Sequence, residues 1–275
     1  MKDFVQRYTL LDAKPTSLPF VVGGLTQPGL TGHGSQDALA AASGKDYLAG
    51  IVCDGCAGAT GTAGLSMNEA GAHITAAIMI NALRLGIRKA DTPDDLLFAA
   101  DRYLGSRLRS ILKLLLPQTP SQSEEEHIAF NLLAATITGF VITPEFWTVF
   151  HYGDGICGVN GHIEALEASS GKYYIASNIR WRNRRRHVFS VYAQGETKDL
   201  HSLIIGSDGM MDLMDGPELG DFLTLSDRWE YERGICDTMD FTREFRVRVS
   251  RPFMKRSEMT GWDDRTAIIV RRLGE

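Results

Sequence analysis

The chain has little cysteine, no long apolar run and no excess of positive charge, and each shortage removes a class of function. Four cysteines in 275 residues (Cys53, Cys56, Cys157 and Cys236) are too few and too scattered for a disulfide framework. The longest nearly apolar stretch, Leu132–Thr143, is broken by threonines and a glycine. It is shorter than the roughly 20 residues a bilayer-spanning helix needs, so no membrane partner is expected. Lys and Arg number 29 against 34 Asp and Glu, a formal net charge of −5, which leaves no basic face for nucleic-acid phosphates. The opening MKDFVQRYTLLDAK scatters charge where a secretory signal would carry an apolar core, so a cytoplasmic protein is the expectation. The histidines show no H-x-x-x-H spacing, and a histidine-based zinc site is therefore not supported.

What remains is an ordinary globular composition, with 44% hydrophobic and 23% charged residues, long enough to bury a substantial core. No repeat or linker divides it, so a single domain over residues 1–275 is expected. Phe4–Leu10 and Leu18–Val22 read as short strands. Ala38–Ser43 and Tyr47–Cys53, joined by Ser43-Gly44-Lys45-Asp46, read as an antiparallel pair. Gly61–Leu85 keeps the three-and-four apolar spacing of a helix. A second helix opens with Thr92 as N-cap and Pro93 at its first position and ends at Leu116, before Pro117. Gln118–His127 reads as a polar loop, and Phe130–Val141, Glu145–Tyr152, Gly155–Val159 and His162–Leu166 as strands, the last two joined by an Asn160-Gly161 hairpin turn. Ser169–Asp199 is irregular; its Arg182 and Arg184–Arg186 suit a solvated loop or a rim that recognises anions. Short helical turns are expected at Met210–Met214 and Glu218–Leu223, a helix over Ser226–Val249 and a closing strand at Thr266–Arg271.

Several strand ends carry an acid. Tyr47–Cys53 runs into Asp54-Gly55, Trp147–Tyr152 into Asp154-Gly155, and Leu203–Ile205 into Asp208-Gly209, while Asp263 and Asp264 precede Thr266–Val270. One such acid is ordinary turn chemistry. Several gathered on one rim would repel unless a cation sat among them. Oxygen-only donors suit Mg²⁺ or Mn²⁺, and such a cluster points to metal-assisted hydrolysis of a phosphate ester by a metal-bound hydroxide. Cys53 and Cys56 form a C-x-x-C around Asp54; they read as structural thiols, with redox or zinc chemistry as the alternative.

The ordered set QDA at Gln36–Ala38, VCDGCAG at Val52–Gly58, AATITGF at Ala134–Phe140, YGDG at Tyr152–Gly155, GSDGMMDLM at Gly206–Met214 and DDRTAIIV at Asp263–Val270 resembles the metal-dependent protein phosphatases of type 2C. These motifs span nearly the whole chain. The resemblance, closest to bacterial-type members, implies an α+β fold, a four-layer αββα sandwich of two antiparallel sheets flanked by helical pairs, with the metal site at one end. It implies a serine/threonine phosphatase with two Mn²⁺ or Mg²⁺ ions, or three, in which a metal-bridging hydroxide attacks the phosphate. Asp54, Asp208 and Asp263 match the catalytic metal-holding acids, and Gly55 offers its main-chain carbonyl. Asp37 and Gln36 match positions that hold the second ion through water, and Asp154 and Asp212 acids of a third site. Asp212 could equally be a helix-end acid.

The chain departs from the family at three places. Asp264 replaces the usual Asn after Asp263, and either supports the ligands or shares their role. Gly32-His33-Gly34 stands where a phosphate-binding arginine is usual; His33 either contacts the phosphate in its stead or is a loop histidine. Cys56 occupies the position of a general-acid histidine found in some members. Residues 169–199 fall where the family has a variable flap. A phosphorylated protein substrate, a cognate kinase as partner and a monomer are the corresponding expectations, and the alternative is a catalytically weak module that binds a phosphoprotein or kinase.

Overall fold

The computed structural model describes residues 17–27, 35–55, 68–116, 121–167, 188–214 and 263–273. Among the described residues, ten strands form two five-stranded, wholly antiparallel sheets. In the first, β1 (Phe20–Gln27), β10 (Arg265–Arg272), β9 (Ser202–Gly206), β6 (Gly155–Val159) and β7 (His162–Leu166) lie side by side in that order. The second holds β2 (Ala38–Gly44), β3 (Tyr47–Cys53), β4 (Ile137–Ile142), β5 (Phe146–Tyr152) and β8 (Ser190–Glu196). β3 faces β10 and β4 faces β9. Alternating side chains from both sheets, among them Leu48, Val52, Phe140, Val149, Leu203, Ile205, Ile268 and Val270, fill the space between them. The α+β sandwich expected from the sequence is present.

The outer face of the second sheet is covered by α1 (Asn68–Gly86), α2 (Pro93–Leu115) and α3 (Gln122–Leu133). α2 starts as its sequence dictates: the Thr92 hydroxyl accepts from the Asp95 amide, Pro93 follows, and Leu96, Leu97, Ala100, Leu104, Leu108 and Leu112 form the buried stripe. No described helix is long and apolar enough to cross a membrane. On the outer face of the first sheet, Val21, Leu25, Ile156, Ile204, Ala267 and Ile269 form a second apolar layer against Met210.

Three sequence expectations need correction. The polar loop expected at Gln118–His127, and the strand expected to begin at Phe130, give way to α3. Ser121 and Glu124 form a reciprocal capping box: the hydroxyl accepts from the Glu124 amide and the carboxylate from the Ser121 amide at 2.7 Å. That cap starts a helix whose Ala129 and Leu133 turn inward, and β4 begins only at Ile137. The irregular Ser169–Asp199 segment contains β8. This edge strand pairs with β5 through a bulge that skips Tyr192, since Val149 faces Ala193 and Phe150 faces Val191; its half-exposed residues leave no clear alternation to read. The strand expected at Leu18–Val22 is instead Phe20–Gln27, held in register with β10 from Arg272 to Arg265 despite Gly23 and Gly24. Phe4–Leu10, Gly61–Met67, Glu218–Leu223 and Ser226–Val249 lie outside the described residues. The Asn160-Gly161 hairpin stands as expected, with φ of 52° and 85° at the two turn residues.

Candidate functional site

Register brings the acids to one end of the sandwich. In the first sheet Gly206 is paired with Ala267 on one side and Ile156 on the other. Asp208, Asp263, Asp264 and Asp154 therefore all leave that sheet within a few residues of the same rung. In the second sheet Ala38 pairs with Cys53, so Asp37 and Asp54 stand one step further out on adjacent strands. The Asp54 carbonyl accepts from the Thr136 amide at 2.9 Å, and Gly55 bridges to Ala135, which fixes this end of the hairpin against the lead into β4. Across the sandwich the Thr138 hydroxyl donates to the Gly206 carbonyl at 3.5 Å. Asp154 sits between Gly153 (φ 99°) and Gly155 (φ 135°), conformations that a side chain would strain.

The electrostatics show which acids meet. Burial raises the Asp37 carboxyl to about 7; the Ser207 hydroxyl pulls the other way, and the charge of Asp264 adds to the rise. Asp54 is pushed well above the carboxylate range, first by burial and then by the charges of Asp37, Asp208 and Asp263. Asp208 rises to about 6 through burial and the charges of Asp263 and Asp154. The acids form a chain of neighbouring pairs that crosses from one sheet to the other. They do not close into a cage: among the described residues no three His, Cys, Asp or Glu side chains are gathered tightly enough to enclose an ion.

Two buried oxygens in this cluster, Asp37 Oδ2 and Thr266 Oγ1, have no hydrogen-bond partner. Asp37 is only 2% exposed. A buried carboxylate oxygen without a donor is costly unless it faces a cation or its water. The donor set is all oxygen, as hard divalent cations require. On both counts the residues present fit a Mg²⁺ or Mn²⁺ centre.

Of the sequence candidates, Asp37, Asp54, Asp208, Asp263 and Asp154 are brought together, with Gln36 and Gly55 beside them. Asp212 lies in the 3₁₀ helix Asp208–Leu213 that follows β9; its side chain is outside the described set. His33, Cys56 and Arg180–Arg186 also lie outside the described residues. Cys53 is sealed in the core, its thiol pushed up by burial and by Asp37 and Asp54, which suits a structural thiol rather than a reactive one. Sequence reasoning missed Ser35, Ser207, Thr266 and Arg265. The Ser35 hydroxyl accepts from the Asp37 amide at 3.2 Å. The Ser207 hydroxyl accepts from the Thr266 amide at 3.0 Å, and Arg265 donates from Nε to the Gly209 carbonyl. Their one available signal was adjacency to a motif acid.

Comparison with known proteins agrees with this geometry. The Mycobacterium tuberculosis serine/threonine phosphatase PstP/Ppp superposes with a TM-score of 0.54 at 14% identity, covering 93% of this chain and 99% of that one. The PstP catalytic domain in complex with two manganese ions gives 0.54 at 13% identity over 93% and 99%. The S. agalactiae serine/threonine phosphatase gives 0.54 at 14% identity over 92% and 99%. At such identities these likenesses speak to the fold. No curated protein sequence matches the chain. The sequence profile described as Protein phosphatase 2C matches residues 31–242, a span that carries Asp37, Asp54, Asp154 and Asp208. With that match over most of its length and the two-sheet sandwich beneath it, the chain belongs to the protein phosphatase 2C family.

Proposed function

We propose that this chain is a Mn²⁺- or Mg²⁺-dependent protein serine/threonine phosphatase, one domain over residues 1–275, acting on phosphoserine and phosphothreonine in cytoplasmic signalling proteins. The observation that carries the reading is the run of mutually repelling carboxylates Asp37, Asp54, Asp208 and Asp263 at one end of the sandwich. A fold that needed only stability would not keep it. Asp54, Asp208 and Asp263, with the Gly55 carbonyl, would hold the first ion, Asp54 reaching the second. Asp37 and Gln36 would hold the second through water, and Asp154 with Asp212 and Asp208 a third. Bound divalent ions would supply charge to the phosphoryl oxygens and a nucleophile at neutral pH.

The chain's own residues supply the frame. Thr136 fixes the Asp54 backbone, Ser35 fixes Asp37, and the Ser207–Thr266 pairing holds the turn that carries Asp208. Gly155 allows the Asp154 turn to approach Gly206 closely. Purified protein given phosphoserine and phosphothreonine peptides with Mn²⁺ should release phosphate and stop when a chelator is added. Asp54→Asn and Asp208→Asn should each lower kcat/KM by about 100-fold or more. Unchanged rates in these variants would remove the site. Phosphopeptide binding without turnover would replace the enzyme by a phosphoprotein-binding module on the same fold.

A further inference from the structure

Asp37, Asp208, Asp263 and Asp264 stand beyond the last paired rungs of their strands, so the sheet ladders do not by themselves fix their spacing. Ala38–Cys53 ends one ladder and Gly206–Ala267 the other. What crosses the remaining gap is the segment Asp263–Thr266 at the start of β10. Asp264 Oδ2 accepts from the Gln36 backbone amide at 2.5 Å, joining residues 228 apart in the chain and on opposite sheets. A backbone amide donating to a carboxylate is a charge-assisted bond. The adjacent Arg265, buried at 5% exposure, donates from Nε to the Gly209 carbonyl at 3.3 Å. Gly209 packs so closely on the Asp264 carbonyl that a Cβ there has no room.

The alternation of a strand explains why two consecutive residues serve two different loops. Ile268 and Val270 face the opposite sheet, while Ala267 and Ile269 face outward. On that period Asp264 falls on the inner face, toward β2, and Arg265 on the outer face, under the 3₁₀ helix Asp208–Leu213. Asp263 itself accepts the Asp264 amide at Oδ1, 2.9 Å away, so its carboxylate is fixed to the same segment.

We infer that Asp264 and Arg265 are positioning residues: Asp264 fastens the Gln36-Asp37 segment, and Arg265 the Asp208-Gly209 turn, to the start of β10, so that Asp37, Asp208 and Asp263 keep one spacing. Asp264 thereby acts as a support, one of its oxygens being committed to the Gln36 amide. The inference rests on the phosphatase reading for its purpose, and on hydrogen-bond geometry for its content.

The test uses the full chain. Mn²⁺ binding is measured by calorimetry, and amide exchange at Gln36 and Met210 is followed in chelator; the Met210 amide bonds the Ser207 carbonyl in the same turn. Asp264→Ala should speed exchange at Gln36 and weaken Mn²⁺ binding by about 10- to 100-fold. Asp264→Asn, which keeps an oxygen acceptor, should restore slow exchange and bring affinity back to within about 3-fold of wild type. Arg265→Met should speed exchange at Met210, leave Gln36 protected and weaken Mn²⁺ binding by a similar factor. Wild-type affinity in Asp264→Ala overturns the inference, and so does Asp264→Asn binding as poorly as Asp264→Ala, which would make Asp264 a ligand by its charge. A wild-type chain that binds no Mn²⁺, with Gln36 freed as expected in Asp264→Ala, overturns the phosphatase reading and with it the purpose of the clamp, while its geometry stands.

Discussion

Asp37 and Asp54 lie on adjacent strands one step past the Ala38–Cys53 pair, close enough for their carboxyls to hydrogen-bond, Asp37 pushing the already buried Asp54 carboxyl further up. Their contact is a cost to the metal-free fold. Asp37→Asn and Asp54→Asn should each stabilise the metal-free protein, by about 1–2 kcal/mol on the scale at which active-site substitutions trade function for stability. That corresponds to about 2–8 °C in Tm. The same variants should lose the thermal upshift that Mn²⁺ gives wild type. Melting curves in chelator and in Mn²⁺ decide it; variants no more stable than wild type without metal would mean that the repulsion is relieved in another way.

Burial of these acids sets the sign of a pH dependence. In the folded chain Asp37 holds its proton up to about 7 and Asp208 up to about 6, against an ordinary value of 3.8 for each. Folded-state values above unfolded ones mean that the folded chain binds more protons between those limits. Stability from these groups is therefore complete below about pH 4 and is lost as pH rises to about 7. In chelator, Tm should be higher near pH 5 than near pH 7.5. Saturating Mn²⁺ should shrink or reverse that order, because it binds the deprotonated acids. A metal-free Tm that climbs between pH 5 and 7.5 would contradict the raised values.

The glycine at 155 should tolerate no side chain. Its φ of 135° lies where L-residues are strained, and a Cβ would meet the Gly206 backbone carbonyl at 2.6 Å. Gly155→Ala should cost about 3 kcal/mol or more and displace the Asp154 turn. The comparison is Gly105→Ala on α2, where the nearest atom is the mobile end of Arg109 at 3.5 Å. That change should be neutral or mildly stabilising, since Ala is the better helix former. Equal effects at the two positions would refute the assignment of strain to the Asp154 turn.

The sequence signals that succeeded were those in which local chemistry and tertiary context agree. Asp54-Gly55, Asp208-Gly209 and the Asp263-Asp264 pair each end or begin an apolar run, and the register of the sheets then gathers them. Thr92-Pro93 and Asn160-Gly161 are local devices that need no partner to be recognised. Where reading failed, the deciding partner was distant or the local cue was outweighed by composition. Glu124–Glu126 look like a solvated acidic run, yet Ser121 and Glu124 make that run the first turn of α3. β8 is an edge strand with a bulge at Tyr192, and its pairing with β5 cannot be anticipated from its own polar residues. The role of Arg265 depends on a carbonyl 56 positions earlier in the chain, and nothing in DDRT points to it.

The Ser121 cap separates fold stability from the site. α3 leads from its capped N-terminus, through Leu133, to Thr136, whose amide holds the Asp54 carbonyl. Ser121→Ala removes the hydroxyl that accepts the Glu124 amide and should lower global stability by about 1 kcal/mol, the usual worth of an N-cap. Its effect should stay at the far end of the helix. Inside, Ala129 and Leu133 remain packed against the second sheet, and Gly71 of α1 still lies against the Leu132 carbonyl. Tm should fall by about 2–4 °C, with Mn²⁺ affinity and kcat/KM within about 2-fold of wild type, since sites without shared partners act independently. Ser121→Asp, another good N-cap, should recover the stability. A parallel loss of Mn²⁺ affinity in Ser121→Ala would show instead that α3 transmits the state of its N-terminus to Thr136, and that Asp54 depends on more of the helical layer than its single hydrogen bond.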